Sequence, residues 1–142
     1  MSGPKLTIAD YPLAEKRPEL VKGRSGRQLE DISLDRVVAG EVTLADLTIT
    51  PEALRMQAEI AAAANRRTLA DNFERAAELI DVPQDVLMDI YELLRPGRAP
   101  NKDRLVDAAR RLRDTYGATR MAAFVEEAAE IYERRGLFTY RF

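Results

Sequence analysis

Ile49-Thr50-Pro51-Glu52-Ala53-Leu54-Arg55-Met56-Gln57-Ala58 is the stretch that decides the fold. The Thr50 hydroxyl can accept an amide proton of the first helical turn, Pro51 has no amide proton to leave unsatisfied and a φ already suited to a helix, and Glu52 sets a negative charge at the positive helix end. A helix therefore starts at Pro51 and runs to about Ala64. Beyond Asn65-Arg66-Arg67, the residues Leu69, Phe73, Ala76, Ala77 and Ile80 recur on one helical face. The pattern leaves open whether Asn65 breaks this into two helices.

Further along, Pro83 opens a helix with Val86, Leu87, Ile90, Tyr91 and Leu94 as its apolar stripe, and Arg95-Pro96-Gly97 ends it. Asn101 caps the next, whose stripe is Leu105, Ala109, Leu112 and Tyr116, with Gly117 suited to a left-handed stop. The last helix, from about Ala118 to Arg134, presents Met121, Phe124, Val125, Ala128 and Tyr132, and Glu130 can pair with Arg134 one turn on. Short loops imply antiparallel neighbours. No segment alternates like a strand, and no repeat of solenoid length is present.

Upstream of Thr50 the pattern changes. From Lys5 to about Glu30, Pro12, Pro18, Gly23 and Gly26 are mixed with charges, and the apolar residues follow neither period; an extended arm and a disordered tail both fit. Leu34 to Ala39 and Leu44 to Leu47 read as short helical turns capped by Ser33 and Thr43, with Asp46 completing an approximate capping box on Thr43. The expected fold is all-α: an open helical bundle of about four to five helices over residues 50–142, preceded by an extended, irregular N-terminal arm over residues 1–49 that serves partner docking.

Composition narrows the chemistry. The 142 residues suit one modest core, and 22 Lys and Arg against 24 Asp and Glu give a net charge of -2, which is not the balance of a nucleic-acid binder. With Cys 0 and His 0, the chain has no disulfide, no thiol nucleophile, no imidazole base and no thiolate metal site, so an autonomous enzyme is improbable. No stretch approaches the length of a membrane span.

Each remaining constellation has a plainer reading. Glu126, Glu127 and Glu130 invite comparison with di-iron bundles, but those need histidines and a solvated acidic face suffices. Ala76 to Leu94 could pass for a helix-turn-helix, except that its second helix carries Asp85, Asp89 and Glu92 with no cation before Arg95, so phosphates would repel it. Lys102, Arg104, Arg110, Arg111 and Arg113 are interleaved with Asp103, Asp107 and Asp114, as on a solvated face, with an acidic partner surface as the second reading. Tyr91, Tyr116 and Tyr132 fall on apolar stripes and read as core residues with wet hydroxyls. A long arm on a chain with so little chemistry of its own points to an obligate subunit, because a partner's contacts must offset the entropy of ordering it.

Taken in order, Asp10-Tyr11-Pro12-Leu13-Ala14, Ile49 to Ala58, Asn72-Phe73-Glu74-Arg75-Ala76-Ala77-Glu78-Leu79, Val82-Pro83, Ile90-Tyr91, Leu94-Arg95-Pro96, Ala122-Ala123-Phe124-Val125 and Glu127-Ala128-Ala129 resemble successive motifs of one family. That family is the small (gamma) subunit of adenosylcobalamin-dependent diol and glycerol dehydratases. Each motif also serves ordinary capping and packing, so it is their order and spacing from about Asp10 to Tyr132 that carries the resemblance.

The resemblance implies a hydro-lyase complex, a dimer of three-subunit units, that converts a 1,2-diol or glycerol to an aldehyde and water by a radical route. A large barrel subunit holds substrate and an essential cation, and with a medium subunit, separate or fused to it, binds adenosylcobalamin. The small subunit is helical and packs on the large one, supporting assembly and solubility. Choice among propane-1,2-diol, glycerol and ethane-1,2-diol is then set on another chain. No catalytic, cofactor-binding or metal-binding residue is implied here; the docking residues expected are Tyr11, Pro12 and Leu13, apolar residues in a segment with no core of its own to fill. Neither nucleic acid nor membrane is an expected partner.

Three departures from the family pattern stand out. Some relatives carry an N-terminal extension tied to low solubility and microcompartment packaging; this chain begins almost directly at the shared region, so the expectation is a cytoplasmic protein, with a bacterial microcompartment as the second reading and packaging through this subunit not expected. Gly97 follows Arg95-Pro96 where relatives have an aromatic residue, and the loop to Lys102 is about one residue longer. The tail Leu137-Phe138-Thr139-Tyr140-Arg141-Phe142 is aromatic instead of charged and is expected to pack on a subunit. The competing reading is a stand-alone helical adaptor or regulator, which would be a folded monomer with a mobile arm.

Overall fold

The computed structural model describes residues 5–138, and among these it is helical, with one isolated antiparallel bridge and no strand. Five helices of 11 to 16 residues are accompanied by three of 4 or 5 residues and by three single 3-10 turns, so the all-α expectation holds with more elements than the four or five expected. The chain divides into two compact units between Ile80 and Asp81, not at residue 50.

The first unit is built on a helical hairpin. Helix α4 (Pro51–Ala63) starts where the sequence indicates, with the Thr50 hydroxyl accepting from the Ala53 amide at 3.1 Å. It ends because Asn65 turns left-handed, φ 58°, letting the Asn65 and Arg66 amides reach back to the Ala62 and Ala61 carbonyls at 3.0 and 2.8 Å. That double closure is a Schellman stop, and it settles the question at Asn65: α5 (Arg67–Leu79) is a separate helix. Ala58, Ala61 and Ala70 are buried between the two, flanked by Leu69 and Phe73.

Residues before Thr50 are not an extended arm. They wind through 3-10 turns at Ile8–Asp10, Pro18–Leu20 and Leu29–Asp31 and through the short helices α1 (Leu13–Lys16), α2 (Leu34–Val38) and α3 (Leu44–Leu47). Leu6 and Leu13 are buried against Ile60 of α4, with Leu20, Val21 and Met56 around them, and the Leu6 amide donates to a Glu59 carboxylate at 3.0 Å. Such turns are too short to show a helical period, which is why the sequence reads as irregular here. They belong to the same unit as α4 and α5 because their apolar residues complete its core.

The second unit contains α6 (Gln84–Leu94), α7 (Lys102–Tyr116) and α8 (Thr119–Arg134), with α7 and α8 as its main hairpin. Asn101 caps α7 through the Arg104 amide, and Gly117, φ 65°, ends it as expected. Leu105, Ala109, Leu112, Ala118, Ala122, Val125 and Ala129 are fully enclosed. The seam of α8 is thus a line of small residues around Val125, and Phe124, read as core from its size, stands 41% exposed at its edge. Tyr132 is half-buried and donates to the Leu94 carbonyl, Tyr116 is half-buried, and Tyr91, expected on a core stripe, is 60% exposed. Leu137 and Phe138 of the aromatic tail are half-buried, Phe138 lying edge-on to the Tyr132 ring; its remaining residues, 139–142, lie outside the described residues.

Candidate functional site

Tyr11, Pro12 and Leu13 join the 3-10 turn at Ile8–Asp10 to α1. Asp10 fixes this corner: its carboxylate accepts from the Thr7 amide at 2.8 Å and pairs with Arg17 at 3.2 Å, while Arg17 also holds Glu19. Those bonds, the Thr7 amide first, keep the Asp10 carboxyl below the ordinary aspartate range. The three expected docking residues then part company. Leu13 is buried beside Leu6 and Ile60, so this segment does have a core to fill, Pro12 is half-buried, and only Tyr11 is well exposed. Tyr11 and Ile8 stand over an open hollow of about 300 Å³ walled by Ile60, Leu69 and Phe73 of α4 and α5.

A second feature lies where the sequence suggested only connecting turns. Asp46 of α3 is 5% exposed, the sole buried charged residue among those described. Ser25 Oγ donates to its Oδ1, the Thr43 amide donates to Oδ2 at 2.8 Å, and Arg27 Nε lies 3.6 Å away. The Ser25 hydroxyl and Thr43 amide, with Arg27 adding charge, outweigh desolvation and lower its pKa. Arg27 also donates to the Glu41 carbonyl at 2.9 Å, and Gly23 passes so close to the Asp46 carbonyl that any Cβ there would collide with it. The turn from Lys22 to Gln28, closed by their bridge, is in this way latched onto α3.

On the other side of the same short helices the surface is apolar. Leu34 and Val38 of α2 are 77% and 80% exposed and Leu44 of α3 is 80% exposed, with Val37, Leu47 and Ile49 also well exposed. Sequence reasoning found the Thr43–Asp46 capping contact but missed the burial of Asp46 and the exposed apolar faces. Three large apolar residues in the five of α2 are more than one short turn can bury, and Gly23 and Gly26 bracketing Ser25 mark a tight turn; these were the available signals.

The carboxylates weighed as catalytic or metal candidates are otherwise engaged. Glu126 takes both Arg113 guanidinium nitrogens at 2.7 and 2.9 Å and is held below the usual glutamate range by them. Glu130 pairs with Lys102 at 2.7 Å instead of with Arg134, and Lys102 also reaches Glu133. Every carboxyl with a resolved shift is lowered: Asp10, Glu19, Asp46 and Glu126. Among the described residues no three carboxylates gather as they would around a metal ion. Asp85, Asp89 and Glu92 of α6 are exposed, and no helix among the described residues is long and apolar enough to cross a membrane.

Comparison with known proteins agrees with the resemblance in the motifs. Residues 6–139 match the family model described as "Dehydratase small subunit". The chain is 51% identical over 128 residues, 90% of its length and 74% of the relative's, to the propanediol dehydratase small subunit of Citrobacter freundii. It is 49% identical over 128 residues, 90% of its length and 73% of the relative's, to that of Salmonella typhimurium. With the family model covering nearly all of the chain and both relatives matched along most of their own length, the chain belongs to the dehydratase small subunit family.

Proposed function

We propose that this chain is the small, non-catalytic subunit of an adenosylcobalamin-dependent diol or glycerol dehydratase, a hydro-lyase that converts propane-1,2-diol or glycerol to an aldehyde and water. The observation that carries the reading is the 51% identity to a propanediol dehydratase small subunit along 90% of the chain. Adenosylcobalamin supplies the radical chemistry when bound, and in this reading a large barrel subunit and a medium subunit, separate or fused, bind it. Nothing in this chain suits the corrin: it has no His to offer cobalt a nitrogen and no Cys, so no step is assigned to its residues. Its part is to assemble and stabilise a dimer of heterotrimers in the cytoplasm, with Tyr11, the exposed member of the Tyr11-Pro12-Leu13 segment, and Ile8 contributing to docking over their open hollow.

The test is co-expression with candidate large and medium subunits, purification through a tag on this chain, and assay of adenosylcobalamin-dependent aldehyde formation. An active complex that becomes inactive or insoluble when this chain is omitted is the expected result. A lone, monodisperse monomer with no co-purifying subunit would favour the adaptor reading instead.

A further inference from the structure

Stable short helices ordinarily turn their large apolar residues inward and their charges outward. Residues 29–49 depart from this at Asp46 and at their large apolar residues. Asp46 is enclosed and latched by Ser25, Thr43 and Arg27, while Leu34, Val38 and Leu44 are more than three-quarters exposed. In α2, Leu34, Val37 and Val38 are spaced three and four apart and so share one face; in α3, Leu44 and Leu47 do the same. The turn between them is tight: the Glu41 and Val42 amides both donate to the Arg36 carbonyl, at 2.9 and 3.2 Å, and Val42 is buried. These faces are therefore held in place by the fold beneath them and are not loose coil. Beside them an open hollow of about 380 Å³, walled in part by Leu29, Ile32, Leu47 and Ile49, could receive a side chain.

The charges around the faces select the occupant. Glu30, Asp31, Asp35 and Glu41 stand around α2 against two cations that are already engaged: Arg36, shared between Asp31 at 3.0 Å and Glu41 at 3.9 Å, and Arg27, held by Asp46 and the Glu41 carbonyl. In a two-fold contact each copy would present the same patch, setting this acidic border against its equal, so a second copy of the chain is disfavoured. An anionic lipid surface is disfavoured by the same sign. A different protein with an apolar centre and a basic border fits. Since the chain belongs to a family of dehydratase small subunits, another subunit of the complex is the candidate for that partner.

We propose that the exposed faces of α2 and α3, centred on Leu34, Val38 and Leu44, form a docking surface for another, larger subunit of the dehydratase, one presenting apolar residues bordered by lysines and arginines. The proposal rests on the subunit reading above and deepens it. Asp46 is its positioning residue, holding α3 from behind.

The chain has no cysteine, so single thiols report on this surface without interference from its own sequence. Val38→Cys and Leu44→Cys, both mild changes at exposed positions, are each labelled with a small alkylating reagent in the isolated chain and in the purified complex, with the mass of this chain as readout. The expected result is labelling slowed about tenfold or more in the complex, as in the core of an interface, and a rate independent of concentration in the isolated chain. Equal labelling in complex and free chain would overturn the docking surface while leaving the subunit reading intact. Slowing in the isolated chain as its concentration rises would mean that a second copy covers the surface, and would overturn the proposal in favour of that occupant. Failure of the unmodified chain to recover any other subunit would overturn the subunit reading and this proposal together.

Discussion

The two units of this chain use their apolar residues in opposite ways. In the second, Leu105, Leu112 and Val125 lie fully enclosed among Ala109, Ala118, Ala122 and Ala129. Among the described residues of the first no large side chain is so completely sealed; the deepest, Leu13 and Val42, keep 4% exposure, whereas Leu34, Val38 and Leu44 stand in the open. Of the twelve large apolar residues exposed among those described, nine (Ile8, Tyr11, Leu29, Leu34, Val37, Val38, Leu44, Leu47 and Ile49) are in the first unit. Met88, Tyr91 and Phe124 are in the second. Neither absent His nor absent Cys says where a subunit docks; the docking surface proposed above rests on this asymmetry. One unit completes its own core, and the other leaves apolar surface for something else to cover.

The contrast can be broken at several points. Leu112→Ala would remove a fully enclosed side chain from the α7–α8 hairpin, with an expected loss of about 2–5 kcal/mol in urea unfolding; a loss under about 1 kcal/mol would show that the sealed core is not what holds the second unit. Gly23→Ala should follow at about 1–3 kcal/mol, because its methyl group meets the Asp46 backbone, which cannot swing away as a flexible side chain could.

Asp46 sharpens the comparison through pH. Its pKa is lowered in the folded chain, chiefly by Ser25 and then Thr43, so its contribution is complete above the ordinary aspartate value of about 4 and is lost as pH falls through the lower folded value. Asp46→Asn should lower the urea midpoint at pH 7 and reduce its further fall on acidification. Asp10 and Glu126, also lowered, would maintain some acid sensitivity. An unchanged midpoint at pH 7 would mean that the latch is not energetic.

The smallest effect is expected at the surface proposed for docking. Val38→Ser or Leu44→Ser should leave the stability of the isolated chain within about 0.5 kcal/mol, since both side chains are 80% exposed. A loss comparable to that of Leu112→Ala would show that these residues serve the chain's own core.

Legibility in the sequence follows the same division. Where helices are long, local chemistry announces them: Thr50-Pro51-Glu52 starts α4, and Asn101 and Gly117 bracket α7 where expected. Even there, register was harder than existence. The α8 stripe was read from its largest members, while the enclosed line includes Ala122 and Ala129, whose small size admits the neighbouring helix closely. In the first fifty residues Ser33, Thr43 and Asp46 mark the starts of α2 and α3 where expected, but the tertiary order was opaque because it depends on distant partners: Leu13 is buried by Ile60, and Asp46 by Ser25 and Arg27. No periodicity in a four-residue helix can reveal either contact. Among the docking residues expected, Leu13 is already used by the core, a contact hidden for the same reason.

The most direct test of the account is amide hydrogen exchange on this chain alone and within the assembled dehydratase. We expect α7 and α8 to be protected in both states and residues 29–49 to gain protection on assembly. If residues 29–49 exchange equally fast in both states, the first unit is not completed by a partner at this surface, and the central claim fails.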